Sequence, residues 1–193
     1  GINAEYGGSV AAGKTSFAKA LKDLLPQFEY VNISDLVIDK KLFESYDEKF
    51  QTHVVDEDKL IDYIRANLNE KDIIVDHHSF DIFSNKYFDL IILLTCKDND
   101  GNYFTIRKRL EERKYLENKI QENMMVEITG LIKEQIKRFK APKIEINNLT
   151  KDDLKQGLEK VLDIFSALDK AYEEIEELEE NEEDEEFEEF EKE

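Results

Sequence analysis

Cysteine is nearly absent from this chain: Cys96 is the single one among 193 residues. That excludes an internal disulfide framework and a Cys-rich zinc site, and it fits a reducing compartment. Proline is confined to Pro26 and Pro142. No Pro/Gly/Ser-rich linker and no internal repeat divides the sequence. Long apolar runs are missing as well. The longest, Leu90 to Thr95, is a buried strand by length and falls far short of the roughly 20 residues of a membrane span. No signal-peptide pattern opens the chain. It begins with Gly1 and not Met, so missing native residues or a tag remnant are expected at that end. Positive charge is scarce too, with 27 Lys and Arg against 46 Asp and Glu, a net of −19.

The negative charge is unevenly spread. Glu173 to Glu193 holds 15 acids and one lysine, a net of −14, which leaves −5 for the other 172 residues. A mildly acidic body has no basic footprint for broad nucleic-acid binding. The tail points toward basic partners, either as a docking arm or simply as a solubilising extension; both readings stay open. Dense like charge and little apolar area predict disorder beyond Asn181. The length suits one domain with an appendage, and 40% apolar residues suffice for a core.

Short apolar runs alternate with helical patterns. Phe28 to Ile33, Ile73 to Val75, Leu90 to Thr95 and Ile144 to Ile146 read as strands. Lys14 to Leu25, Glu57 to Leu68, Tyr103 to Arg113, Lys119 to Phe139 and Lys151 to Leu168 read as helices. This alternation predicts an α/β fold, a parallel sheet wrapped by helices. Ile2 to Tyr6 is expected to be a central strand because a phosphate-loop pattern comes directly after it, despite the charge of Glu5.

That pattern is Gly8-Ser9-Val10-Ala11-Ala12-Gly13-Lys14-Thr15, the G-x-x-x-x-G-K-[ST] phosphate loop. Glycines permit the backbone turn, inward N–H groups form an anion nest, and the helix opening at Lys14 adds its positive end. Lys14 addresses the β/γ-phosphates of ATP, and the Thr15 hydroxyl suits Mg²⁺. Ile73-Ile74-Val75-Asp76 is an apolar strand ending in an acid, which places Asp76 near the loop as a second Mg²⁺ ligand. His77 and His78 come next. On a strand they point to opposite faces, which argues against a two-His metal site. His78 either reaches the phosphates or is a hydrogen-bonded structural histidine. Arg107, Arg109 and Arg113 lie among Glu111, Glu112 and Glu117, as a solvated helix face or with one of them as a cationic clamp on a transferred phosphoryl group.

Several further stretches carry a resemblance. They are Asn32-Ile33-Ser34-Asp35-Leu36, Tyr46-Asp47-Glu48, His53 to Leu60, Asp76-His77-His78, Arg109 to Tyr115, Lys119-Ile120, Asn123 and Glu127-Ile128. In this order they resemble the adenylate kinase isoenzyme 6 (coilin-interacting nuclear ATPase) family, from about Gly7 to Leu168. The resemblance implies a P-loop domain over residues 1–170 with an adenylate-kinase-like fold, a monophosphate-binding part near 32–55, a short lid near 112–122, and an acidic tail over 171–193. It implies Mg·ATP-dependent adenylate kinase and ATPase activity. It also implies a role in small ribosomal subunit maturation beside the 3′ end of its rRNA, through a ribosomal protein and the pre-ribosome, in nucleus and cytoplasm. Membrane and sequence-specific DNA partners are not expected. Catalytic roles fall to Lys14, Asp76, His78 and Arg113. ATP contacts fall to Gly8, Ala11, Gly13, Lys14, Thr15, Ser16 and Arg113. AMP or dAMP contacts fall to Asn32, Asp35 and Arg109, and Mg²⁺ to Thr15 and Asp76. The chain departs from the family loop at Ser9, Val10 and Ala11, and from a family basic residue at Ile38. An assembly switch with little kinase activity, or a nucleotide-binding module without turnover, are the alternatives.

Overall fold

The computed structural model describes residues 2–48, 52–78 and 80–190, with side chains to residue 177. The chain divides into two compact units, Gly1–Gly157 and Leu158–Glu193. The first is built on a five-stranded sheet, every neighbouring pair parallel, in the order β2-β5-β1-β6-β7. These strands are β1 (Asn3–Gly8), β2 (Glu29–Asn32), β5 (Ile73–Asp76), β6 (Leu90–Thr95) and β7 (Lys143–Asn147). A separate antiparallel pair, β3 (Phe43–Asp47) and β4 (Thr52–Val55), forms a hairpin. The helices are α1 (Lys14–Leu24), α2 (Ile33–Asp39), α3 (Glu57–Leu68), α4 (Phe104–Glu112), α5 (Glu117–Thr129), α6 (Leu131–Ile136) and α7 (Lys151–Phe190).

The sequence periods explain most of this. Strands β5 and β6 are near-continuous apolar runs because helices cover both sheet faces, and Ile73, Ile74, Val75 and Leu90 to Leu94 are all buried. In α3, Leu60, Ile64 and Leu68 recur at helical spacing on the buried face, and Asp56 caps the helix by accepting from the Lys59 amide at 3.1 Å. Two expectations are corrected, and one stretch that the sequence pattern leaves unassigned is filled in. The helix read over Lys119 to Phe139 breaks at Gly130, whose φ of 65° ends α5 and starts α6; a left-handed glycine is the usual helix stop. Between Asn32 and Asp56 the chain folds into α2 and a hairpin. Their short, mixed polar stretches carry no clear period. Disorder beyond Asn181 is not observed, since α7 continues to Phe190. Glutamate is a good helix former, and like-charge pairs one turn apart cost only about 0.2–0.5 kcal/mol each.

Glu5 does stand in the central strand, between Val75 and Ile91. It is wholly buried, and neither carboxyl oxygen has a hydrogen-bond partner among the described residues. Burial pushes its pKa well above 4.5, against a lowering pull from Arg138. The native acid therefore keeps its proton, while the unfolded chain releases it near 4.5. Between that point and the folded value unfolding sheds a proton, so stability falls as pH rises across that range. Glu5→Leu is expected to be more stable than wild type at pH 8 by about 1–3 kcal/mol, with the gap closing toward pH 5. Urea denaturation at the two pH values reads this directly, and a wild-type stability indifferent to pH would contradict it.

Candidate functional site

The C-terminal ends of the parallel strands gather the chemistry, as open α/β sheets generally arrange it. Strand β1 ends at Gly8, the loop Ser9–Gly13 comes next, and α1 begins at Lys14. Helix α1 has no side-chain cap: its N-cap is Gly13 in the left-handed region, φ 94°. Its first amides are left for an anion. A β-carbon at Gly13 would run into the Asn148 side-chain amide, and one at Gly8 into the Leu94 carbonyl. The loop thus needs its glycines for conformation at one end and for close approach at the other.

A loop whose amides turn inward must turn carbonyls outward, and each of those needs a donor. Asn148 Nδ2 donates to the Ala12 carbonyl at 3.1 Å. Arg109 Nη1 donates to the Ala11 carbonyl at 3.2 Å, and its Nη2 to the Leu149 carbonyl at 3.0 Å. Ala11 itself adopts φ 68°, a left-handed conformation that costs a non-glycine residue about 1–2 kcal/mol. The Arg109 bond holds it there. Ala11, Gly13, Ser16, Arg109, Arg113 and Asn148 line a cavity of about 420 Å³.

Lys14 is the electrostatic link between Asp76, His78 and Arg113. Burial lowers the Lys14 pKa, with Arg113 adding to the fall and Asp76 opposing it. Burial and then Lys14 lower the His78 pKa below 6.5, while Asp81 and Asp76 resist. Lys14 is thus within electrostatic reach of each of the other three residues named from sequence as catalytic, while Arg113 and His78 line different cavities. Arg113 caps the C-terminus of α4 and is the first residue of the short 113–116 connector to α5.

Asp76 is held from behind. Its Oδ2 accepts from the Tyr30 hydroxyl at 2.9 Å and from Asn32 Nδ2 at 3.0 Å. Tyr30 in turn shares a hydrogen bond with the buried Tyr6 hydroxyl at 2.8 Å, and Tyr6 packs edge-on against Phe17 of α1. Asn32 and Asp76 are direct register partners on β2 and β5. Thr15 is exposed at the start of α1. Thr15 and Asp76 supply hard oxygen donors, the kind that Mg²⁺ takes. Among the described residues no group of three or more His, Cys, Asp or Glu could hold a metal. Such a donor set fits an ion carried largely by phosphates and water, and it is not a protein cage.

The other sequence-derived residues fall in different places. Asn32 spends its side chain on Asp76 and on capping α2, where Oδ1 accepts from the Asp35 amide at 3.0 Å. Asn32 and Asp35 line a second cavity of about 370 Å³ beside Tyr30. Arg109 does not join them; it belongs to the Ala11–Asn148 wall. Arg107 is the solvated arginine, paired with Glu111 and Glu117 at 2.9 Å each. The two histidines depart from the strand geometry expected of them: β5 stops at Asp76, their ring centroids lie 4.5 Å apart, and both line a third cavity of about 520 Å³ with Gly8, Ser9, Val54 and Asp81. Sequence reasoning missed Tyr6, Tyr30 and Asn148. Asn148 had one usable signal, its place directly after a strand of the parallel sheet. The tyrosines had none, because only the β1–β5–β2 pairing brings them to Asp76.

The chain is similar to known proteins in sequence and in fold. Residues 7–130 match the family described as AAA domain. The chain is 37% identical over 164 residues to the adenylate kinase isoenzyme 6 homolog FAP7 of Saccharomyces cerevisiae, covering 84% of this chain and 81% of that protein. It is 31% identical over 161 residues to the adenylate kinase isoenzyme 6 homolog of Caenorhabditis elegans, covering 81% and 85%. In fold it is similar to shikimate kinase from Bacteroides thetaiotaomicron, with a TM-score of 0.56 and 10% identity, covering 86% of this chain and 98% of that one.

Gly13→Ala adds both a steric clash with Asn148 and a left-handed alanine. It is expected to destabilise the fold by about 2 kcal/mol or more and to abolish retention on an immobilised-ATP resin, while Asn148→Ala keeps the fold and weakens retention. Equal retention by wild type and Gly13→Ala would contradict this account of the loop.

Proposed function

The chain belongs to the adenylate kinase isoenzyme 6 family, and from that premise we propose that it transfers the γ-phosphoryl group of ATP to AMP or dAMP, yielding two diphosphates, and also hydrolyses ATP. The observation that supports this is the uncapped start of α1 behind the phosphate loop, with Lys14 in electrostatic reach of Asp76, His78 and Arg113. The loop amides and Lys14 hold the β- and γ-phosphates. Thr15 and Asp76 hold Mg²⁺, which when bound neutralises charge on the phosphate oxygens. Tyr30 and Asn32 keep the Asp76 carboxylate fixed for that task. Ser16 and Arg109 belong to the ATP side, with Arg113 approaching from the 113–116 connector to balance the charge that develops in transfer. The acceptor oxygen attacks phosphorus as the bond to the β-phosphate oxygen breaks, and ADP leaves. Catalysis here is positioning and charge balance more than covalent chemistry.

Hydrolysis is the second reading, and one observation favours it. The 520 Å³ cavity beside His78 carries Glu57, Asp81 and two histidines, and no lysine or arginine among its described lining. A phosphate dianion prefers cations; water does not need them. A neutral His78, which its lowered pKa provides at pH 7, accepts a hydrogen bond from that water and orients it. The ribosomal role implied by the resemblance rests on the acidic run Glu173 to Glu193, which suits a basic partner such as a small-subunit ribosomal protein. Residence in nucleus and cytoplasm goes with the same role. No helix among the described residues is long and apolar enough to cross a membrane.

Turnover of Mg·ATP with and without AMP, for wild type and Lys14→Ala, tests the proposal. Two ADP formed per AMP consumed, lost in Lys14→Ala, is the expected result. Phosphate release indifferent to AMP selects hydrolysis, and bound ATP without turnover sinks both. The acid limb of the wild-type pH–rate profile is expected below pH 6.5 and absent from His78→Ala, because protonating a histidine of lowered pKa takes a more acidic solution. Deleting residues 173–193 is expected to leave turnover unchanged and to weaken binding to a basic ribosomal protein, more clearly at low salt.

A further inference from the structure

Glu127 has no part in the chemistry described so far, yet it sits where an acid is locally unwelcome. It lies in the last turn of α5, and the Gly130 amide donates to its backbone carbonyl. The negative end of the helix dipole disfavours a carboxylate there. The compensation is tertiary. Its Oε1 accepts from the Cys96 amide, directly after β6, at 2.6 Å. Its Oε2 accepts from the hydroxyl of Ser9, a buried residue one step into the phosphate loop. Charge-assisted bonds of this kind are about twice as strong as neutral ones.

The same short segment is gripped from the other side. Arg109 of α4 donates to Cys96 Sγ at 3.4 Å and to the Ala11 carbonyl at 3.2 Å. Helices α4 and α5 are themselves tied by Arg107 to Glu117 at 2.9 Å, across the connector that begins with Arg113. Thus both helices flanking that connector end on the phosphate loop: α4 through Arg109 on Ala11, α5 through Glu127 on Ser9.

We infer that Glu127 is a positioning residue, which holds the Ser9 end of the phosphate loop to α5 and so links the stance of the Arg113-bearing connector to the geometry of the loop. Ser9 carries the other half of the link, which gives its hydroxyl a purpose the phosphate-loop pattern does not require. The inference rests on the reading of residues 8–15 as an ATP loop. A displacement of about 1 Å at a reacting group can cost as much as a hundredfold in rate, so the link acts on turnover more than on affinity.

The test is a double-mutant cycle on the full chain, with Mg·ATP affinity by calorimetry, kcat and KM for ATP, and melting temperature. Glu127→Ala is expected to lower kcat by about tenfold or more with KM changed by much less. Glu127→Gln can still accept from the Cys96 amide and donate to Ser9 Oγ, and it is expected to recover most of the loss. Ser9→Ala combined with Glu127→Ala is expected to be no worse than Glu127→Ala alone, as for two ends of one contact. A wild-type kcat in Glu127→Ala overturns the inference, as does a fall in melting temperature without a fall in kcat. Additive losses in the cycle, or Gln as poor as Ala, overturn it too. A wild-type protein that fails to bind Mg·ATP instead overturns the nucleotide reading itself, and the calorimetry separates that case from the others.

Discussion

The outward carbonyls of the phosphate loop must be satisfied, and much of the architecture around the site depends on that constraint. An anion nest forms only when successive amides face one way, which strands the carbonyls on the other side. Arg109 takes the Ala11 carbonyl and Asn148 takes that of Ala12. One donor comes from α4 and the other from the segment after β7. The loop therefore holds its shape only when elements from the far end of the chain have docked. This is also why alanine is tolerated at position 11 in a left-handed conformation: the strain is local, and the restraint comes from elsewhere.

A second layer of support stands behind Asp76. Tyr6, Tyr30 and Asn32 come from the strands on either side of β5 and place their polar atoms at one carboxylate oxygen, directly or in relay. Parallel pairing fixes that meeting, with Asp76 opposite Tyr6 on one side and Asn32 on the other. Hydrogen bonds of this kind fix the orientation of the carboxylate they meet. Glu5 is the exception in the same strand. It is buried and meets no hydrogen-bond partner among the described residues, so the central strand carries a cost next to its most ordered polar network.

Much of the fold was legible in advance because it rests on local rules. Apolar runs of strand length, helical spacing in Glu57 to Leu68, and a phosphate-loop pattern at a strand–helix junction need no knowledge of partners. The α2 and β3–β4 region was not legible, because short half-exposed elements leave little periodic trace. Nor was the break at Gly130, since one glycine inside an otherwise apolar pattern is compatible with an unbroken helix. Opposite faces for the two histidines follow only if β5 runs on; it ends at Asp76, and both line one cavity.

From the sequence alone came the residue types suited to phosphate and metal: Lys14, Thr15, Asp76, His78 and Arg113. Their chemistry is carried by motifs of fixed spacing along the chain. Tertiary structure alone decided the roles of Asn32, Arg109, Glu127 and Asn148. Each of these acts on a residue about 40 to 140 positions away. Contacts at that separation are set by strand order and helix docking, which no local pattern encodes. Arg109 and Arg107 look alike in sequence, two residues apart on one helix. One braces the phosphate loop and the other pairs with glutamates in solvent, because residues two apart on α4 face different neighbours.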